Sequence, residues 1–158
     1  MADAEQVCPE CELRTAAGEP SCPELRDRLF ARDFEQPARF GKQHRLAVDC
    51  YCVQHSPYVG SAKSLAAHLC GLYVALERGN DPELLAGLQR WLSTNPRLEK
   101  PALPAFRGEL TIAHVIEIDD PVAYGAAVEE WARSAWSAYG ALQERARQWL
   151  EMSVHRRH

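Results

Sequence analysis

A chain of 158 residues, 46% hydrophobic and 25% charged, has the length and composition of one globular domain able to bury its own core. A net charge of −4 without any sizeable basic block argues against nucleic acid as a main partner. No stretch approaches the ~18 uninterrupted apolar residues of a membrane-spanning helix, so no membrane is expected either.

The first residues, MADAEQVCPEC, have no apolar run and no cationic lead, so they do not read as a secretory signal. A cytoplasmic location is the resulting expectation. Thiols stay reduced there, so the six cysteines are expected as metal ligands or small buried residues rather than disulfides. Residues 1–21 hold Cys8-Pro9-Glu10-Cys11 and read as a metal-binding loop.

A four-helix core is predicted over residues 22–94. Ser21 or Cys22 caps the first helix, with Pro23 in its first turn, where the missing N–H costs nothing. Leu25, Leu29, Phe30 and Phe34 form its apolar stripe, and Arg26, Asp27, Arg28, Arg32 and Asp33 are assigned to water. The second helix is predicted from Pro37 to His55 with a narrow polar face, which implies burial on most sides. It places His44, Val48, Tyr51 and His55 on one face. Ser61 opens a third helix that stops at Gly79, and Asp81-Pro82 opens a fourth.

Prolines 96, 101 and 104 make residues 95–110 an extended crossover, pinned by Leu103 and Phe106. Thr111 caps a short helix from Ile112 to Ile118. Asp120-Pro121 opens the longest helix, drawn as one piece to Met152 on the stripe Val128, Trp131, Ala135, Tyr139, Leu142, Ala146 and Trp149. Residues 153–158 are a tail. No segment alternates with period two, so no sheet is expected. The fold class is all-α, a compact bundle of five to six helices with an N-terminal zinc-knuckle-like loop, in a single domain over residues 1–158.

Two thiolates spaced like Cys8 and Cys11 can grip one ion from a tight turn, but a structural zinc site needs four ligands. The first two helices are joined by a short link and so should run antiparallel. Folding the chain near residue 37 brings Cys22 to the level of Cys52, one turn from His55. Cys8, Cys11, Cys22 and His55 thus close a Cys3His zinc site. His44 is about 16 Å from His55 along a straight helix and cannot share that ion.

His68, on the third helix, falls level with Val48. His44, Asp49 and His68 form a second candidate cluster, read either as a buried hydrogen-bonded trio or as a metal or catalytic site. Asp49 lies about 140° around the helix from His44, which counts against the catalytic reading. Cys50, Cys52 and Cys70 sit among apolar neighbours and read as small core residues, with Cys52 close to the zinc level. His114 reads as a surface or capping residue, and the tryptophans as core or interface.

CPxC, a cysteine heading the next helix, HRLAVDCYCVQH and SLAAHLCGLYVALERG resemble a bacterial family of small proteins of unknown function. Its pattern is H-x-L-x-V-D-x-Y-x-x-Q-H followed by a helix with a central His-Leu and a terminal Leu-Glu-Arg-Gly. The resemblance covers residues 8–80. It implies no activity, but marks Cys8, Cys11, Cys22, His44, Asp49, Tyr51, Gln54, His55 and His68 as motif positions. The loop after His55 is shorter than the pattern's, and a one-turn slide of the third helix would bring His68 to the first site in place of Cys22.

Three functions compete. The first is a structural zinc protein acting through a protein partner or as a homodimer. The second is a metal-dependent hydrolase or thiol transferase of helical-bundle type, with Asp49 or His44 as base and Tyr51 as hydrogen-bond donor. The third is a zinc-thiolate redox sensor in which oxidation of Cys8, Cys11 or Cys22 releases the metal.

Overall fold

The computed structural model describes residues 4–155. Ser21 caps α1 (Cys22–Glu35), its side chain accepting from the Glu24 amide. A single turn, α2 (Pro37–Phe40), and a 3-10 turn (Gly41–Gln43) lead into α3 (His44–Gln54). After a second 3-10 turn (Ser56–Val59), Ser61 and Ser64 form a reciprocal capping box at the head of α4 (Ala62–Glu77). Asp81 caps α5 (Pro82–Ser93).

The extended crossover and a 3-10 turn (Ile112–His114) precede α6 (Pro121–Ala138), capped by Asp120, and α7 (Gln143–His155). The fold is all-α. No helix among the described residues is long and apolar enough to cross a membrane.

The buried helices α3 and α4 pack together at the centre. α6 covers both, α5 and α7 cover α4, and α1 lies against α3. Ala47, Cys50 and Val53 of α3, Leu65, Leu69 and Leu72 of α4, and Val128, Trp131 and Ala135 of α6 form the middle of the core, all wholly buried. Cys50 and Cys70 are core residues as expected, and the four tryptophans are buried. The Cys70 thiol donates to the Ala146 carbonyl at 3.4 Å.

Several expectations are corrected. The long C-terminal helix is two helices. Tyr139 and a 3-10 turn (Gly140–Leu142) redirect the chain because α6 packs on α3 and α4, whereas α7 packs on α4 and α5. α7 also runs into the predicted tail, as far as His155; His158 lies outside the described residues. The short helix expected from Ile112 to Ile118 is regular only as far as His114. His114 is partly exposed and its Nε2 faces Glu130 at 2.9 Å.

In α1 the buried stripe is Cys22, Leu25, Leu29 and Asp33, so Asp33 is buried and Phe34 is 87% exposed, the reverse of the expected sides. Steps of three and four from Cys22 lead to Asp33; Phe34 lies a further 100° round, beyond α3's reach. Phe106 is exposed and does not pin the crossover. Gln54 does so instead: its amide Nε2 donates to the carbonyls of Arg107 and Leu110 at 3.1 and 2.7 Å, and its Oε1 accepts from the Trp131 indole at 2.9 Å. A sheet does exist, with two strands of two residues each, β1 (Gln6–Val7) and β2 (Arg14–Thr15), paired antiparallel.

Candidate metal centre

The β1–β2 hairpin carries Cys8 and Cys11 on its turn. The Cys8 amide donates to the Leu13 carbonyl at 2.8 Å, and the Glu12 amide returns to the Cys8 carbonyl at 2.9 Å. Glu12 takes the left-handed conformation that closes the turn, φ 65°. Glu10, between the two cysteines, fastens the hairpin to the bundle. Its carboxylate accepts from the Ser56 hydroxyl at 2.7 Å, the Ser56 amide at 3.2 Å and the Arg107 guanidinium at 2.6 Å. The Ser56 hydrogen bond, then Arg107, hold the Glu10 carboxyl down to about 2.

The bundle supplies Cys22 and His55. Cys22 is the first residue of α1, where the helix dipole favours a thiolate. His55 is not the last residue of the helix but its C-cap, with extended backbone, φ −128° and ψ 103°. An α-helix leaves its last four carbonyls without intrahelical donors. In α3 all four are met: Tyr51 by His55 Nδ1 at 2.6 Å, Cys52 by the His55 amide at 3.2 Å, Val53 by the Tyr139 hydroxyl at 2.5 Å, and Gln54 by Arg107 at 3.3 Å. Donation to a carbonyl places the imidazole proton on Nδ1. Nε2 is left with a free lone pair, as a metal ligand requires. The Tyr51 ring stacks on the His55 ring at 3.8 Å and 14°, fixing its plane.

These elements bring the ligand atoms of Cys8, Cys11, Cys22 and His55 within 4.8 Å of one another. Cys11 and Cys22 sulfurs are 3.8 Å apart, and Cys22 Sγ is 3.3 Å from His55 Nε2. Zinc–sulfur bonds of about 2.3 Å at tetrahedral angles separate two sulfurs by about 3.8 Å, so the cluster has the dimensions of a zinc site. The Cys11 hydrogen bond pushes the Cys22 thiol down against the opposing effect of burial, with the Tyr51 hydroxyl adding to it; Cys11, which keeps the shared proton, moves up. The donor set fits a thiophilic divalent metal, and no water position is left once four ligands bind.

The second candidate cluster divides in two. Asp49, buried in α3, faces His68 Nδ1 at 2.9 Å and Arg45 at 2.7 Å. Burial disfavours the His68 imidazolium, but the Asp49 hydrogen bond and a neighbouring Cys52 thiol outweigh it and raise His68 to about 10. Burial moves Asp49 upward as well, against the pull of His68 and Arg45. His44 is elsewhere. Its Nδ1 faces Asp33 at 3.1 Å, and Asp33 also accepts from the Tyr124 hydroxyl at 3.2 Å. The His44–Asp49–His68 trio therefore does not form, and the slide that would bring His68 to the first site does not occur. Cys52, expected near the zinc level, serves His68. Glu10, Ser56 and Arg107 had no signal in the sequence beyond Glu10's place between two cysteines, and Tyr139 was legible only as a residue of the core stripe.

Fold and site together define a helical protein with a Cys3His ligand cluster where an N-terminal hairpin meets the bundle. The chain belongs to a family of unknown function (DUF5946), whose sequence model matches residues 6–140. That span takes in all four ligands and reaches well beyond the motifs legible over residues 8–80. No curated protein and no solved structure matches the chain.

Proposed function

We propose that the protein holds one zinc ion on Cys8, Cys11, Cys22 and His55, and that the centre is structural. The observation that carries this reading is the convergence of four ligand atoms within 4.8 Å, from a hairpin turn, a helix start and a helix cap. A complete protein ligand set favours a structural over a hydrolytic role. The separation of His44 from Asp49 and His68 further weakens a hydrolase built on those three groups. The hairpin, with two residues in each strand, is too small to be stable alone, and the metal supplies what its core cannot.

Metal analysis of the purified protein tests the proposal. One zinc per chain is expected, with loss of the metal in Cys11→Ser and His55→Ala. A metal-free preparation with an intact, equally stable hairpin would overturn it.

A further inference from the structure

Cys8, Cys22 and His55 also form walls of a cavity of about 380 Å³, a boundary that Cys11 does not share. The other walls are mainly apolar, Val7, Pro9, Leu13 and Pro57 among them. Its one cationic wall is Arg26, whose guanidinium lies 5.8 and 5.6 Å from the ring centroids of Tyr51 and Tyr58. A purely structural centre has no need of such space, since packing around it can be as dense as elsewhere in a protein. The volume lies within the roughly 300–1,000 Å³ of small-molecule sites.

The sulfurs on this cavity differ. Cys22 Sγ has the Tyr51 hydroxyl at 3.4 Å, His55 Nε2 at 3.3 Å and the Cys11 sulfur at 3.8 Å. Cys8 Sγ has no hydrogen-bond partner among the described residues. Of these neighbours His55 and Cys11 are fellow ligands, whereas the Tyr51 hydroxyl can donate to the Cys22 thiolate with the metal bound and lowers its intrinsic nucleophilicity, so Cys8 is the more nucleophilic of the two.

Building on the metal centre above, we propose that Cys8 is an alkyl acceptor. Its thiolate takes the alkyl group from a small, neutral ester of an oxyanion bound in the cavity, with the departing oxyanion directed at Arg26. The Cys8 S–C bond forms as the ester C–O bond breaks. The C–O electron pair leaves with the oxyanion, so no proton, oxidant or reductant is required. The apolar walls select a neutral alkyl group, and Arg26, although paired with Asp27 at 2.8 Å, is the cation on the cavity wall that the charge of the leaving group can meet. A neutral thioether then replaces one thiolate of the cluster, which weakens the site's hold on zinc.

The test uses the full metal-loaded chain, methyl methanesulfonate as a neutral alkyl sulfonate, and site-resolved mass spectrometry. Methylation of Cys8 should be at least about tenfold faster than that of Cys11 or Cys22, and Arg26→Gln should slow it about tenfold. Val7 is 48% exposed, so Val7→Trp should fill the cavity without unfolding the protein and slow Cys8 to a similar degree while zinc is retained. A protein purified without zinc overturns the metal centre and this inference together. Zinc retained with Cys8 no faster than the other two thiols overturns the inference alone. So does a Val7→Trp protein that holds zinc and reacts at the wild-type rate.

Discussion

Replacing Gly71 by alanine tests how rigidly the second cluster is held. Glycine in a helix interior usually costs about 1 kcal/mol relative to alanine, so the bare helix expectation for Gly71→Ala is stabilisation. The surroundings reverse that sign. A Cβ at position 71 would lie 2.2 Å from Asp49 Oδ2, 2.8 Å from its Cγ and 3.0 Å from Arg45 Nη1. Asp49 is short, buried and bonded through both oxygens, to His68 at 2.9 Å and Arg45 at 2.7 Å, so it cannot give way without losing a partner. Overpacking costs about 1–3 kcal/mol, and a buried charge left without its partner about 3–5 kcal/mol. Subtracting the helix gain and allowing for partial relaxation, a loss of about 2–4 kcal/mol is expected. Urea unfolding followed by circular dichroism measures it as a fall in midpoint at constant slope. In an Asp49→Ala background the same substitution should be neutral or stabilising, because the obstruction is gone. A Gly71→Ala protein as stable as wild type would refute the argument.

Tyr139→Phe removes the one side-chain donor among the described residues to the buried Val53 carbonyl and should cost about 1–3 kcal/mol in the same assay. Glu10→Gln leaves Arg107 without its carboxylate; the bundle should unfold at nearly the wild-type midpoint, while hairpin amides exchange hydrogen faster, by about tenfold or more. His68 has its folded-state value raised from 6.5 to about 10, so its contribution to stability is complete below pH 6.5 and lost as pH rises towards 10. Wild type should therefore lose about 2 kcal/mol more than His68→Gln between pH 6.5 and 10, in unfolding titrations at fixed pH. Asp49, also raised by burial, acts in the same sense but on the acid side of this window, its contribution falling as pH rises above 3.8.

The helix starts were legible because each is written within four residues. Ser21, Ser61, Asp81 and Asp120 all cap as their sequence contexts predict. The ligand set was legible for a different reason. A short link forces two helices antiparallel, and that alone brings Cys22 to His55 and, across the same turn, Asp33 to His44. What stayed hidden depends on contacts distant in sequence. Nothing near Asp33 shows that Tyr124 will accept its burial, and nothing in the proline-rich crossover shows that Arg107 will reach both Glu10 and the end of α3. An unbroken apolar stripe concealed the break at Gly140, since both halves are buried but against different helices.

The same carbonyl bonds decide how far loss of the metal would spread. Cys22 is fixed by its place at the head of α1 and by Tyr51, and His55 by the Tyr51 carbonyl and ring. Half of the ligand set is therefore oriented by the bundle before the hairpin arrives. Cys8 and Cys11 have no such support. Apart from the ligand cluster and the packing of Leu13 on the core, their hairpin is tied to the bundle by Glu10, with Ser56 and Arg107 as its partners. Arg107 and Tyr139 complete the end of α3 whether or not a metal is bound. Chelation should thus release the hairpin rather than the whole N-terminal third, leaving α1 docked on α3. On the proposed reading the centre is a latch on a preformed bundle, and the proposed chemical change at Cys8 would have its structural consequence in residues 4–15.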